Sequence, residues 1–298
     1  MNVFSFIYLV GIYLLLTLFN AFNEIEFDIQ LIYSSIFILV FGIPHGAIDH
    51  VLFFRKRKLS PFKFYTIYLG LIFLFLLFWS ISSIYSLLFF LVLSAFHFGE
   101  SQFNDLKLKK GLKYIFYFSW GASILINLIF YNLDELTNLS AYFQDTIGLA
   151  IVYDRPITTF FYYFINAVCL CFLTGFAYFK NIKIDRFLSE IFLLVLIHIT
   201  FFLFPFIIGF TLYFVVLHSL QVMSQELNFF RHTDPQFSIF DFIKLLFPYS
   251  LVSIIFSGLI LGGSYLGFIA LSMPFLSLII ISVITLPHAI VMNIFYSD

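Results

Sequence analysis

The sequence predicts an all-α fold: a polytopic membrane helix bundle of about ten transmembrane helices, with both termini cytoplasmic and residues 1–298 forming a single integral membrane domain. Three observations carry this prediction. Of 298 residues, 62% are apolar and only 10% charged, whereas a soluble domain carries about 25% charged residues. Apolar blocks long enough to span recur along the whole chain, without the alternation of a barrel strand. Finally, a ten-span layout sorts the basic residues. Arg55, Lys56, Arg57, Lys58, Lys63, Lys107, Lys109, Lys110, Lys113, Lys180, Lys183, Arg186, Arg231 and Lys244 fall on one side. Only Arg155 falls on the other, among loops holding seven acids. The positive-inside rule makes the crowded side cytoplasmic, and removing one span would scramble the sorting.

The spans follow in order. The first covers about Val3 to Phe22; it lacks a basic leader and a small-residue cleavage signal, so it reads as a retained span. After the acidic loop Asn23 to Gln30, the second runs from about Leu31 to Phe54. The third, about Phe64 to Trp79, turns at Ser80 to Ser83 into the fourth, about Ile84 to Glu100. A basic stretch leads to the fifth, ending near Tyr131. The connection Asn132 to Arg155 includes Tyr142 to Val152, which reads as a short amphipathic piece. The sixth is about Ile157 to Phe179, the seventh Phe187 to Phe204, the eighth Ile207 to Leu227. Pro235 helps break the helix in the polar loop Arg231 to Phe237. The ninth, about Phe242 to Leu261, contains Pro248 and ends at a Gly262-Gly263 turn. The tenth is about Ala270 to Phe295. No internal repeat or low-complexity tail stands out, and the spans show no paired broken helices of the transporter kind.

No nucleic-acid partner is expected: the net charge of −1 says nothing on that question, but there is no large polar domain to bind one. Cys169 and Cys171 face opposite ways on one helix, which suits neither a disulfide nor a metal clip. The forty-seven phenylalanines and eighteen tyrosines read either as an aromatic-lined tunnel or as lipid-facing filler from an AT-rich coding bias.

Ionisable groups inside spans are costly and mark function. His45, His97, His218 and His288 lie on the second, fourth, eighth and tenth spans, all descending to the cytoplasmic side. Each lies about ten to thirteen residues before a basic cluster or the C-terminus, hence roughly 15–20 Å deep at 1.5 Å per residue. Neutral imidazoles converging from four helices would suit iron, copper, zinc or nickel. Asp49 after His45, Glu100 after His97 and Gln221 after His218 have the same-face spacing of partners that orient ligand rings. A lone intramembrane histidine more commonly just bonds a neighbouring helix. His198 on the ascending seventh span reaches the same depth, His50 could act as partner or replacement ligand, and His232 sits in a loop.

The motifs Phe41-Gly-Ile-Pro-His-Gly-Ala-Ile-Asp49, Ser94-Ala-Phe-His-Phe-Gly-Glu100, Leu217-His-Ser219 and Leu286-Pro-His-Ala289 resemble those of the Brp/Blh family of β-carotene 15,15′-dioxygenases. The likeness covers essentially the whole chain. It implies Fe(2+) held by histidines, with His45, His97 and His218 at the family's motif positions. Some members carry a further histidine, proposed as a ligand, where this chain has Val222. His288 is taken as the fourth ligand, with His198 and His50 as alternatives. The resemblance further implies β-carotene and O₂ as substrates, all-trans-retinal as product, a place in the inner (plasma) membrane and a functional link to a rhodopsin. The polyene would enter from lipid, along a tunnel for which Tyr213, Phe214, Phe96 and Phe98 are candidates. Gly42, Gly46 and Gly99 would allow close approach.

Two other readings compete. His45-x4-His50 matches the first box of a membrane di-iron desaturase or hydroxylase, but that class uses about eight histidines and a His-x-x-His-His box, both missing here. A metal or proton transporter would use Asp49, Glu100 and Glu226 as relay groups.

Overall fold

The structure, a computed structural model, describes residues 3–22 and 25–297. Among these, every regular element is helical. Ten helices are long and apolar enough to cross a membrane: Val3–Ala21, Phe27–Lys56, Pro61–Ile81, Ser83–Phe103, Lys110–Tyr131, Arg155–Tyr178, Ile184–Leu203, Phe206–Thr233, Ile239–Tyr265 and Met273–Tyr296. They match the expected spans in number and order. Exposed Leu, Ile, Val and Phe side chains run along their outer faces, as a lipid-facing surface requires.

Local chemistry fixes several boundaries. Ser60 caps the third span, accepting from Lys63 N at 3.4 Å, with Pro61 in the first turn where an N–H is not needed. Ser82 and Ser272 cap the fourth and tenth spans in the same way, accepting from Tyr85 N and Phe275 N. Asp145 in turn clamps Ser272, taking its amide at 2.6 Å and its hydroxyl at 2.8 Å.

Two expectations need correction. The ninth helix runs through Gly262-Gly263 and ends at Tyr265. The reversal comes at Gly267, which has φ +77°. Gly267 N bonds Ser264 O at 3.0 Å and Phe268 N bonds Gly263 O at 2.8 Å, a Schellman close that needs the left-handed residue. The tenth helix therefore starts at Met273. The second correction concerns continuity. The second span is α-helical over Phe27–Phe37, widens into a π turn at Ile38–Gly42, tightens to 3₁₀ at Ile43–Gly46, and resumes at Asp49–Lys56. Pro44 lacks an N–H and its ring crowds the preceding turn, which disfavours a regular helix here. The eighth span is likewise interrupted, by a π turn at Tyr213–Ser219. Two spans are thus broken where none was expected. The connection after the fifth span forms a helix, Leu133–Tyr142, and a 3₁₀ run, Ile147–Tyr153.

The chain forms two compact units, Met1–Ala47 with Cys171–Ile254, and Ile48–Leu170 with Ile255–Asp298. In the first, Tyr8, Ile12, Ile197, Phe201, Phe204 and Tyr213 are buried, and Phe201 meets Tyr213 with ring centroids 6.2 Å apart. In the second, the tenth span packs against the third, the fourth and helix Asp49–Lys56. Phe75, Trp79, Leu87, Leu149, Phe275 and Val283 form a core, and Trp79 Nε1 donates to Ser282 Oγ at 2.8 Å. Leu149 brings the 3₁₀ run into that core. The fifth and sixth spans are joined by amides: Ser123 and Asn166 bond at 2.7 Å, as do Asn166 and Asn127.

The fourth and fifth spans pack backbone to backbone. A methyl added at Gly99 would land on the Tyr117 carbonyl, and one at Gly121 on the Ala95 carbonyl. Small residues permit this approach. Gly121→Ala should therefore destabilise the protein by about 1–3 kcal/mol through forced separation. Gly70→Ala, where a Cβ meets nothing within 4 Å, should be neutral or slightly stabilising. Thermal denaturation of the two variants in detergent checks this.

Candidate metal centre

Four histidines are nearly excluded from solvent: His45 is 8% exposed, His97 1%, His218 1% and His288 3%. His50 and His198 are half-buried and His232 is exposed. Burial thus separates the four from His198, which depth in the sequence could not do.

The first unit brings His45 and His218 together from its two broken spans. His45 sits in the 3₁₀ turn after Pro44, where its Nδ1 meets the Gly42 carbonyl. His218 sits in the π turn. Their rings meet edge to face with centroids 5.1 Å apart. Phe214 stacks on His218 at 5.5 Å and on Phe210 at 5.4 Å, and its edge contacts His45 at 5.6 Å. A Cβ at Gly42 would stand 2.8 Å from the Phe214 ring, so glycine is what lets that ring lie against the backbone there. Widened turns of this kind change which side chains share a face, and they concentrate at functional sites.

The second unit brings His97 and His288 together, with ring centroids 5.0 Å apart and planes at 83°. Ala95 and Gly99 lie one helical turn apart and face the fifth span. His97, two residues from each, therefore points to the opposite side. His288 follows Pro287 within the tenth helix. Its Nδ1 lies 2.8 Å from Asp49 Oδ1, and Tyr68 donates its hydroxyl to Asp49 Oδ2, also at 2.8 Å. Asp49 opens helix Asp49–Lys56, where the helix dipole favours a carboxylate.

The sequence spacing assigned Asp49 to His45; the structure engages its two oxygens with His288 and Tyr68. The four-residue rule assumes 100° per residue, and the 3₁₀ turn and the Ala47-Ile48 turn between the two residues break it. Glu100 accepts from Asn293 Nδ2 at 2.6 Å. Gln221 lies half-buried at the start of helix Leu220–Thr233. Of the tunnel candidates, Phe214 lies on the histidine pair of its unit. Tyr213 packs on Phe201, and Phe96 packs on Tyr114 and Tyr117. Phe98 is buried. Tyr68 and Asn293 were not found from the sequence, because each meets its carboxylate from another helix and no spacing signals it.

Chemically, the site offers imidazoles with one nitrogen already engaged. A histidine whose Nδ1 bonds a carboxylate or carbonyl presents Nε2 to a metal, with its tautomer fixed. This holds for His288 with Asp49 and for His45 with Gly42. Within the second unit, the buried His97 and His288 offer ligand atoms within 4.8 Å of one another, close enough to share a metal ion. Neutral nitrogen donors in an apolar surround fit iron, copper or zinc.

No curated protein and no solved structure matches the chain. A family model described as Beta-carotene 15,15'-dioxygenase matches residues 36–296, which contain all four buried histidines together with Asp49, Tyr68 and Asn293. By that match, the chain belongs to the beta-carotene 15,15'-dioxygenase family.

Proposed function

We propose that the protein cleaves β-carotene with O₂ at the central 15,15′ double bond, giving two molecules of all-trans-retinal, at an iron(II) ion held by His45, His97, His218 and His288. On this reading the two units act as one membrane domain, each supplying one histidine pair. The observation that carries it is the bond from His288 to buried Asp49, the carboxylate–histidine pairing that commonly orients a metal ligand. Bound iron(II) would supply the open positions and unpaired electrons that O₂ needs to react with a closed-shell polyene. The double bond breaks and each carbon takes one oxygen atom, so atoms balance without a further oxidant.

The protein's own work is placement and exclusion. Four neutral rings would leave the ion its charge. Asp49 keeps the His288 proton on Nδ1, so that Nε2 donates. The Phe210–Phe214 stack shields His218 from water and offers an apolar face to a hydrocarbon. A polyene nearly as long as the roughly 30 Å hydrocarbon core would arrive sideways from lipid, among exposed Phe and Tyr side chains. The product is the chromophore that a rhodopsin partner would consume. The broken second and eighth spans are also a transporter feature, but here each break carries a buried histidine. The one-sided sorting of the basic residues supports an orientation with both termini cytoplasmic, and on this reading the membrane is the plasma membrane.

Three outcomes are expected. Expressed in a β-carotene-producing bacterium, the protein should bleach the orange colour and yield retinal, and purified protein should hold close to one iron per chain. Colour that persists with verified expression refutes the cleavage reading, and two irons would indicate the desaturase class. His97→Ala and His288→Ala should abolish iron binding, while His232→Ala keeps it; Asp49→Asn should weaken binding by about 10–100-fold, read by chelator competition. A green fluorescent protein fused to the C-terminus should fluoresce, and an alkaline phosphatase fused there should be inactive.

A further inference from the structure

We propose that Tyr68 is a positioning residue that sets how much negative charge Asp49 passes to His288, and so the reduction potential of a metal bound there. The inference rests on the iron reading above and adds a residue that the sequence motifs leave out.

Asp49 is 3% exposed and uses its two oxygens on different partners: Oδ1 faces His288 Nδ1 at 2.8 Å, and Oδ2 accepts from the Tyr68 hydroxyl at 2.8 Å. Bonds to an ionised acceptor are strong, and in a dry interior neighbouring bonds influence one another. Each donor withdraws part of the carboxylate's charge. With Tyr68 in place, the Nδ1–H of His288 meets a weaker acceptor. Without it, Asp49 pulls harder on Nδ1–H and Nε2 becomes the more electron-rich donor. An electron-rich donor favours the ferric over the ferrous ion. Tyr68 therefore acts to keep the centre ferrous, the state that meets O₂.

Tyr68 suits this role by its mounting. It comes from the third span, nineteen residues from Asp49, and its ring packs on Phe64 with centroids 5.6 Å apart. Tyr68→Phe keeps that packing and removes one hydroxyl. The opposite change is Asp49→Asn, which removes the charge itself.

The test compares purified wild type, Tyr68→Phe and Asp49→Asn, each loaded with iron(II), by spectroelectrochemical titration and by the rate of oxidation in air. Tyr68→Phe should retain iron, shift the potential downward and oxidise several-fold faster. Asp49→Asn should shift the potential upward. Opposite signs mark charge control, because mere loosening of the site would move both variants the same way. A potential that is unchanged or raised in Tyr68→Phe, or loss of its iron, overturns the role of Tyr68 alone. Wild type that takes up no iron overturns the iron reading itself.

Discussion

A carboxylate buried among membrane-spanning helices has few ways to exist. It cannot be solvated, and leaving its oxygens unmet would cost several kcal/mol. Asp49 meets this constraint with a histidine from the tenth span and a tyrosine from the third, so one side chain of the second span ties three helices of its unit together. The same bonds that make the charge tolerable also decide which nitrogen of His288 carries the proton. Stability and ligand chemistry are here one arrangement, and the tenth helix cannot shift along its axis without breaking both.

Breaking the helix matters as much as bonding does. Pro44 disfavours a regular helix, and the π and 3₁₀ turns around it aim His45 and Asp49 in directions that a straight helix would not allow. The eighth span does the same at His218. Backbone irregularity at membrane depth is tolerated only where protein covers it, and His45, Gly42, Leu217, His218 and Ser219 are all buried. The ordinary helices supply the opposite property. The fourth and fifth spans, pressed together at Gly99 and Gly121, form a stiff mount for His97.

What the sequence disclosed, and what it hid, follows from the range of each effect. Span number and order depend on local hydropathy and were readable, as were the four histidines, because a polar residue in an apolar run stands out. Partner assignments were harder to read: even on the regular fourth span, Glu100, three residues after His97, takes its bond from Asn293. Asp49 was matched to His45 by a periodicity that Pro44 abolishes. Tyr68 was hidden among eighteen tyrosines, and Asn293 gives no sign of reaching Glu100 from another helix. The Gly262-Gly263 pair looked like a turn, yet only one residue of that connection needs a positive φ, and it is Gly267. The family match supports the motif reading over most of the chain.

The amide cluster of Ser123, Asn127 and Asn166 has its own consequence. The sixth span buries little of its surface inside the protein, so greasy contacts alone would let it roll like a loose rod in a fluid of similar greasiness. Directional amide bonds act as a detent, admitting one angular setting and one height. Asn127 and Asn166 thereby decide which stripe of Phe and Tyr on that helix looks into the acyl chains. The lipid-facing relief of this side of the molecule is set from within, by a fully buried Asn127 and the Asn166 it bonds.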